Sequence, residues 1–137
     1  MAVYLSNGVV LTVNAVDLSN LVSSVTINRS VDELEVTAMG DSGHRYVAGL
    51  EASNITIDFF NDEDTGKTLQ TLNSSSVFAK NIVVTAKQTS AAVSATNPLY
   101  TMTCLVNNIT PINGGVGDLS TQSVTWNVSG TVAVTTS

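Results

Sequence analysis

Cysteine, histidine, proline and charged side chains are all scarce in this 137-residue chain, and each scarcity removes a class of function. Cys104 is the single cysteine, so no disulfide can form within the chain. His44 is the single histidine. One Cys and one His, distant in sequence, supply neither the usual zinc ligand set nor a nucleophile–base pair, and no metal or cofactor is expected. No apolar run approaches the roughly 20 residues that span a bilayer. The start, MAVYLSNGVV, lacks the basic segment and long apolar stretch of a signal peptide, so no membrane anchor is expected.

Charge is sparse and of one dominant sign. Eleven acids against five bases give a net charge of −6 and a sequence pI near 4.3. Arg29, Arg45, Lys67, Lys80 and Lys87 stand singly among acids. Gripping nucleic acid by its phosphates needs clustered bases, which excludes tight DNA binding. An acidic surface does allow DNA to move past without adhering.

Hydrophobic residues make up 43% of the chain while aromatics make up 5%, and much of the rest is Ser, Thr, Asn and Gly. A surface that is polar but so weakly charged implies that much of it faces other protein. The length suits one domain, 1–137, with a core of its own. Asn-x-Ser/Thr triplets at Asn28, Asn54, Asn73, Asn108 and Asn127 follow from this composition and read as strand and turn chemistry.

Most of the chain alternates with period two. Val3-Tyr4-Leu5-Ser6, Asn7-Gly8 and Val9 to Val13 form a hairpin signal, and Asn14-Ala15 offers a further turn before Val16. Val25 to Asn28, Leu34 to Ala38, Arg45 to Val47, Asn54 to Phe59 and Ile82 to Lys87 read as strands. Ile55, Ile57 and Phe59 share one face. Tyr100, Met102, Cys104 and Val106 alternate, as do Val124, Trp126 and Val128, so both late strands should be half-buried. These features predict an all-β sandwich or barrel with one short flanking helix near residues 62–73.

That helix covers a possible nucleotide signal. Gly66-Lys67-Thr68 matches the tail of a phosphate loop, but the position of the first glycine holds Asn61, and Asp62, Glu63 and Asp64 would oppose a polyanion. Asn61 or Asp62 as helix cap, acids in the first turn, and Leu69 and Leu72 facing a sheet explain the stretch better. The acids do not follow the calcium-loop pattern. Asn113 to Asp118 is glycine-rich without the dinucleotide spacing, and reads as a turn.

Two longer segments remain. Asp32, Glu33, Glu35, Asp41, His44, Arg45 and Tyr46 lie on a charged arm, Asp32 to Leu50, with Gly40 and Gly43 at its bend. An acid–base site on His44 would lack a nucleophile or ligand set, so an exposed hairpin at an edge or interface is the better account. Gln88 to Pro98, with Ser90, Val93 and Asn97, is a bland loop or arm. Both are longer than turns require, and both are candidates for contacts between subunits or rings.

A hairpin start followed by VDLSNLVSSVTI, the charged arm through ITIDFFND, the short helix and the closing GDLSTQSVTWNVSGTVAV resemble the tail tube (major tail) protein of tailed bacteriophages over nearly the whole chain. The chain is short for that family. The resemblance implies a structural, non-enzymatic virion protein assembled in the host cytoplasm. It also implies six subunits per ring, rings stacked into a tube, contact with other tail proteins, and passage of DNA during ejection. Capsid decoration, or a minor tail role, is the alternative within virions. A carbohydrate- or receptor-binding sandwich is the alternative outside them, and it would call for more exposed aromatics.

Overall fold

Alternating apolar residues make the strands, and the computed structural model, which describes residues 8–136, layers them face to face. In chain order the elements are β1 (Val10–Val13), β2 (Val16–Asp17), β3 (Val22–Asn28), β4 (Val31–Glu35), β5 (Tyr46–Glu51) and β6 (Asn54–Phe60). They continue with α1 (Thr68–Asn73), β7 (Asn81–Lys87), β8 (Leu99–Leu105), β9 (Thr121–Asn127) and β10 (Ala133–Thr135). One sheet has the order β10-β8-β7-β1-β2, a second β3-β6-β9, and β4 pairs with β5 alone. Every pairing is antiparallel.

The core lies between the two larger sheets. Leu11, Val13, Val84, Ala86, Met102 and Cys104 from one close on Ile55, Ile57, Phe59, Val124 and Trp126 from the other. Each large apolar side chain so buried contributes roughly 1.5–3 kcal/mol. The faces agree with the alternation in sequence: Ile55, Ile57 and Phe59 are fully buried, as are Met102, Cys104, Val124 and Trp126. Trp126 keeps its indole N–H satisfied by donating to Asn108 O at 3.1 Å. The architecture is a sandwich rather than a closed barrel, with a seam where Ser129 N–H donates to Thr103 O at 2.7 Å.

Two local expectations change, and one is not addressed. The hairpin at Asn7-Gly8 lies outside the described residues. A tight hairpin does form at Asn14-Ala15, where both residues have positive φ (51° and 67°) and join β1 to β2. The helix begins at Thr68, not near Asp62, and no acid sits in its first turn. Asp62 Oδ1 instead accepts the Asp64 N–H at 2.9 Å in a local turn, and Gly66 takes φ +76°, which no α-helix contains. Thr68 Oγ1 donates to Phe60 O at 2.9 Å and fixes where the helix starts. Leu72 is buried and Leu69 half-buried, so the two leucines do face inward, joined by Thr68 and Thr71. Finally, β4 stops at Glu35 rather than Ala38, and neither of its faces is buried by this chain.

Candidate assembly surface

β3 and β6 run on, past a break at residues 29–30 and 52–53, into the ribbon of β4 and β5. The break is tied by Ala52 N–H to Ser30 O at 2.7 Å. It is tied again through Glu51, which accepts Ser53 Oγ at 2.6 Å, the Val132 N–H at 3.1 Å and the Arg29 guanidinium at 3.4 Å. The Ser53 hydroxyl, then the Val132 amide, hold the Glu51 carboxyl below its ordinary value. Beyond this base the ribbon has no cover from the sandwich, and Val31, Leu34, Val36, Tyr46, Val47 and Leu50 are exposed.

Register assigns the ribbon's faces. Leu34 lies opposite Val47, and Val36 N–H donates to Arg45 O, which places Leu34, Val36, Val47 and Arg45 on one side. Gly49 lies on that side as well, where an added Cβ would meet Asp32 Cβ at 3.0 Å and Leu34 Cδ1 at 3.3 Å. The other side carries Glu33 opposite Ala48 and Glu35 opposite Tyr46. One side of the ribbon thus carries Leu34, Val36 and Val47 with Asp32 and Arg45, and the other carries Glu33 and Glu35 with Ala48 and Tyr46.

Its tip is shaped by side chains. His44 Nδ1 lies 2.7 Å from Glu35 Oε2, and Thr37 Oγ1 donates to the same oxygen at 2.9 Å. The His44 imidazole, then the Thr37 hydroxyl, hold the Glu35 carboxyl low. Asp41 Oδ2 accepts the Ala38 N–H at 2.8 Å and lies 3.6 Å from the Arg45 guanidinium. Gly40, with φ +93°, makes the bend. The Thr37 hydroxyl is occupied by Glu35 and by the Arg45 N–H at 2.9 Å, so the carboxylate–imidazole pair helps to orient the turn.

The second candidate segment holds a different kind of residue. Ser90 is exposed and Val93 half-buried. Asn97 is buried, and its amide donates to Thr89 O, Ala91 O and Ala92 O while accepting the Thr89 N–H. Asn97 thus shapes its loop from within, while Ser90 and Val93 remain available on its outside. A groove of 710 Å³ separates the base of the ribbon from this loop, lined by Val22, Val25, Ile27, Arg29, Lys87 and Tyr100 among others.

A third segment, 107–120, contains the glycine-rich turn expected at Asn113 to Asp118. It runs along the outer edge of β9: Asn108 Nδ2 donates to Thr125 O, Thr110 N–H to Gln122 Oε1, and Asn113 Nδ2 to Thr121 O. It then turns through Gly115 and Asp118 and ends at Ser120, whose carbonyl accepts the Asn61 N–H. Ile112, Val116 and Leu119 stand in solvent, Ile112 at 91% and Leu119 at 68% exposure. The available sequence signal was three large aliphatic residues inside a Gly- and Pro-containing loop. Beside it, Asn61, Asp62, Glu63, Asp64, Leu69 and Ser120 line an acidic depression. Among the described residues no group of three His, Cys, Asp or Glu side chains is placed to hold a metal, and no helix is long and apolar enough to cross a membrane.

Two solved structures carry this fold from end to end. A chain of the virion of a native gene transfer agent particle superposes with a TM-score of 0.71 at 10% identity, covering 97% of this chain and 99% of that one. A chain of the tail of an empty gene transfer agent particle with C6 symmetry gives 0.69 at 9% identity, covering 98% and 99%. No protein-family model matches the sequence, and no curated protein does. At such identity the likeness is one of fold.

Proposed function

We infer that the protein is a structural, non-enzymatic subunit of a phage-type tail that repeats in stacked rings as the tail tube, around a bore through which DNA passes. The observation that carries this reading is the end-to-end match, in both directions, with a chain of a tail of C6 symmetry. The surface supports it. A lone chain leaves the ribbon's apolar side chains and those of the 107–120 loop in water, which a repeating neighbour would cover. The net charge of −6 suits a conduit that phosphate must not grip. The ribbon residues Asp32, Glu33, Glu35, Asp41, His44, Arg45 and Tyr46, with Ser90 and Val93, make contacts between copies in this reading. Asn97 holds the loop that presents the last two.

Negative-stain electron microscopy with sedimentation, across a range of concentrations, tests it. Hollow sixfold rings and tubes are expected to grow in as concentration rises. Isolated particles of monomer mass at every concentration would remove the reading. Deleting Ser90 to Ala95 should stop tube growth and leave a folded subunit; normal tubes would release that loop from any role in assembly.

A further inference from the structure

β9 is an end strand of its sheet, and side-chain amides from the 107–120 loop cover its outer edge. Asn108 Nδ2 donates to Thr125 O at 3.1 Å, and Asn113 Nδ2 donates to Thr121 O at 3.1 Å. A bare edge offers unpaired main-chain groups to any other chain, so these amides stand where a further strand would bond. Asn113 is also the one asparagine among the described residues that precedes a glycine. It is exposed and lies outside every helix and strand. Gly114 holds φ at +142°, a conformation that residues with a side chain rarely adopt. No Cβ therefore screens the Gly114 nitrogen from the Asn113 carboxamide one residue before it.

We propose that Asn113-Gly114 is a self-modifying site, and that conversion of Asn113 to aspartate or isoaspartate frees the loop from Thr121 and bares that edge of β9. The Gly114 nitrogen gives up its proton to hydroxide and attacks Asn113 Cγ. A succinimide ring closes, the Cγ–Nδ2 bond breaks, and Nδ2 leaves as ammonia with a proton taken from water. Water then adds to one of the two ring carbonyls. Opening between Cγ and the Gly114 nitrogen gives aspartate. Opening at the main-chain carbonyl gives isoaspartate, with one more methylene in the main chain. Neither product keeps the N–H that Thr121 accepts, because an ionised carboxylate has no donor. Aspartate sets an oxygen against the Thr121 carbonyl instead, and isoaspartate lengthens the loop. Asp118, whose Cβ would lie 3.8 Å from a Cβ at Gly114, opposes the new charge. The chemistry belongs to the single chain, so it goes beyond the assembly reading and stands whether or not copies associate.

Peptide mapping tests the site, and hydrogen exchange tests its consequence. The parent chain is held at pH 8 at low concentration and sampled over time. Digestion and fragmentation mass spectrometry then locate each amide-to-acid exchange and tell isoaspartate from aspartate. Asn7, which also precedes a glycine, is scored on its own peptide. Among the described asparagines Asn113 should convert first, ahead of Asn73, which precedes Ser74, and isoaspartate should be among its products. Asn113→Gln keeps an amide that closes no five-membered ring, and should show no exchange at this position. The Thr110 N–H, bound to Gln122 Oε1 at 3.0 Å, senses the loop lifting. In the converted chain, and in Asn113→Asp made directly, its exchange should accelerate about fivefold, the factor that one hydrogen bond of about 1 kcal/mol supplies. Asn113 is exposed, so both variants should fold as the parent does. An Asn113 that keeps its amide while Asn73 or another described asparagine loses its own would overturn the site. Conversion that leaves Thr110 exchange at the parent rate would overturn the release of the loop.

Discussion

Replacing Gln122 with leucine should release the 107–120 loop from the sandwich, and the structure fixes the size of the effect. Gln122 is 1% exposed. Its Oε1 accepts the Thr110 N–H at 3.0 Å, and its Nε2 donates to Asn61 Oδ1 at 2.8 Å. Asn61 in turn donates to Ser120 Oγ at 2.9 Å, so one buried amide fastens both ends of the loop. Each bond contributes about 1 kcal/mol net, and an orphaned partner adds about 1–3 kcal/mol where water cannot reach it. Thr110 is exposed and recovers water, whereas Asn61 is half-buried and recovers less. Leucine offsets part of the loss by its apolar transfer, leaving about 2 kcal/mol. With a urea m-value near 1.5 kcal/mol/M, within the ordinary range, the midpoint falls by about 1.3 M. Trp126 fluorescence should report the unfolding, and amide exchange at Thr110 should accelerate before global opening. A midpoint shift below about 0.3 M with unchanged exchange at Thr110 would refute the claim that Gln122 anchors the loop.

Acid should weaken the fold through carboxyls held low. Glu51 is held by Ser53 first, and Asp17 by the Ser19 side chain first, then the Ser19 amide. A folded value below the unfolded one stabilises above the unfolded value and is lost as pH falls through the folded one, so the decline starts from the ordinary carboxylate values of 4.5 and 3.8 downward. Glu51→Gln should flatten part of that decline in urea midpoints measured from pH 6 to pH 3, and an unchanged profile would count against it. Burial pushes the Cys104 thiol up to about 12, so a thiol reagent at pH 8 should label it at the rate of unfolding, and prompt labelling of the native chain would contradict this. Ala15→Gly should raise stability by about 0.5–1 kcal/mol in urea, because an alanine there holds φ at 67°.

How far the sequence disclosed this molecule depends on what its signals could distinguish. β6, β7, β8 and β9 were legible because each buries every second side chain in its own core, and alternation reports that directly. Leu34 and Val36 alternate in the same way, yet alternation cannot tell a face covered by the chain's own core from one left for a partner. The helix start was misplaced because Asp62, Glu63 and Asp64 suit a helix's first turn as well as the loop before it. The positive φ of Gly66 decided between them. Asn97 and Gln122 were opaque for another reason. Each is a polar side chain buried by contacts set by the folded chain, so its neighbours in sequence carry no trace of its role. The 107–120 loop shows the same limit, since its course along β9 is written in side-chain hydrogen bonds rather than in a strand pattern.

Glu51 has a mechanical meaning as well as an electrostatic one. A single carboxylate joins Arg29 at the root of one ribbon strand, Ser53 after the other, and the Val132 amide just before β10. Tension applied at the ribbon's tip therefore divides at its root. Part travels down β3 and β6 into the three-stranded sheet, and part crosses through Glu51 to the outermost strand of the five-stranded one. Both layers share the pull, which keeps a tug on the ribbon from peeling one sheet off the other.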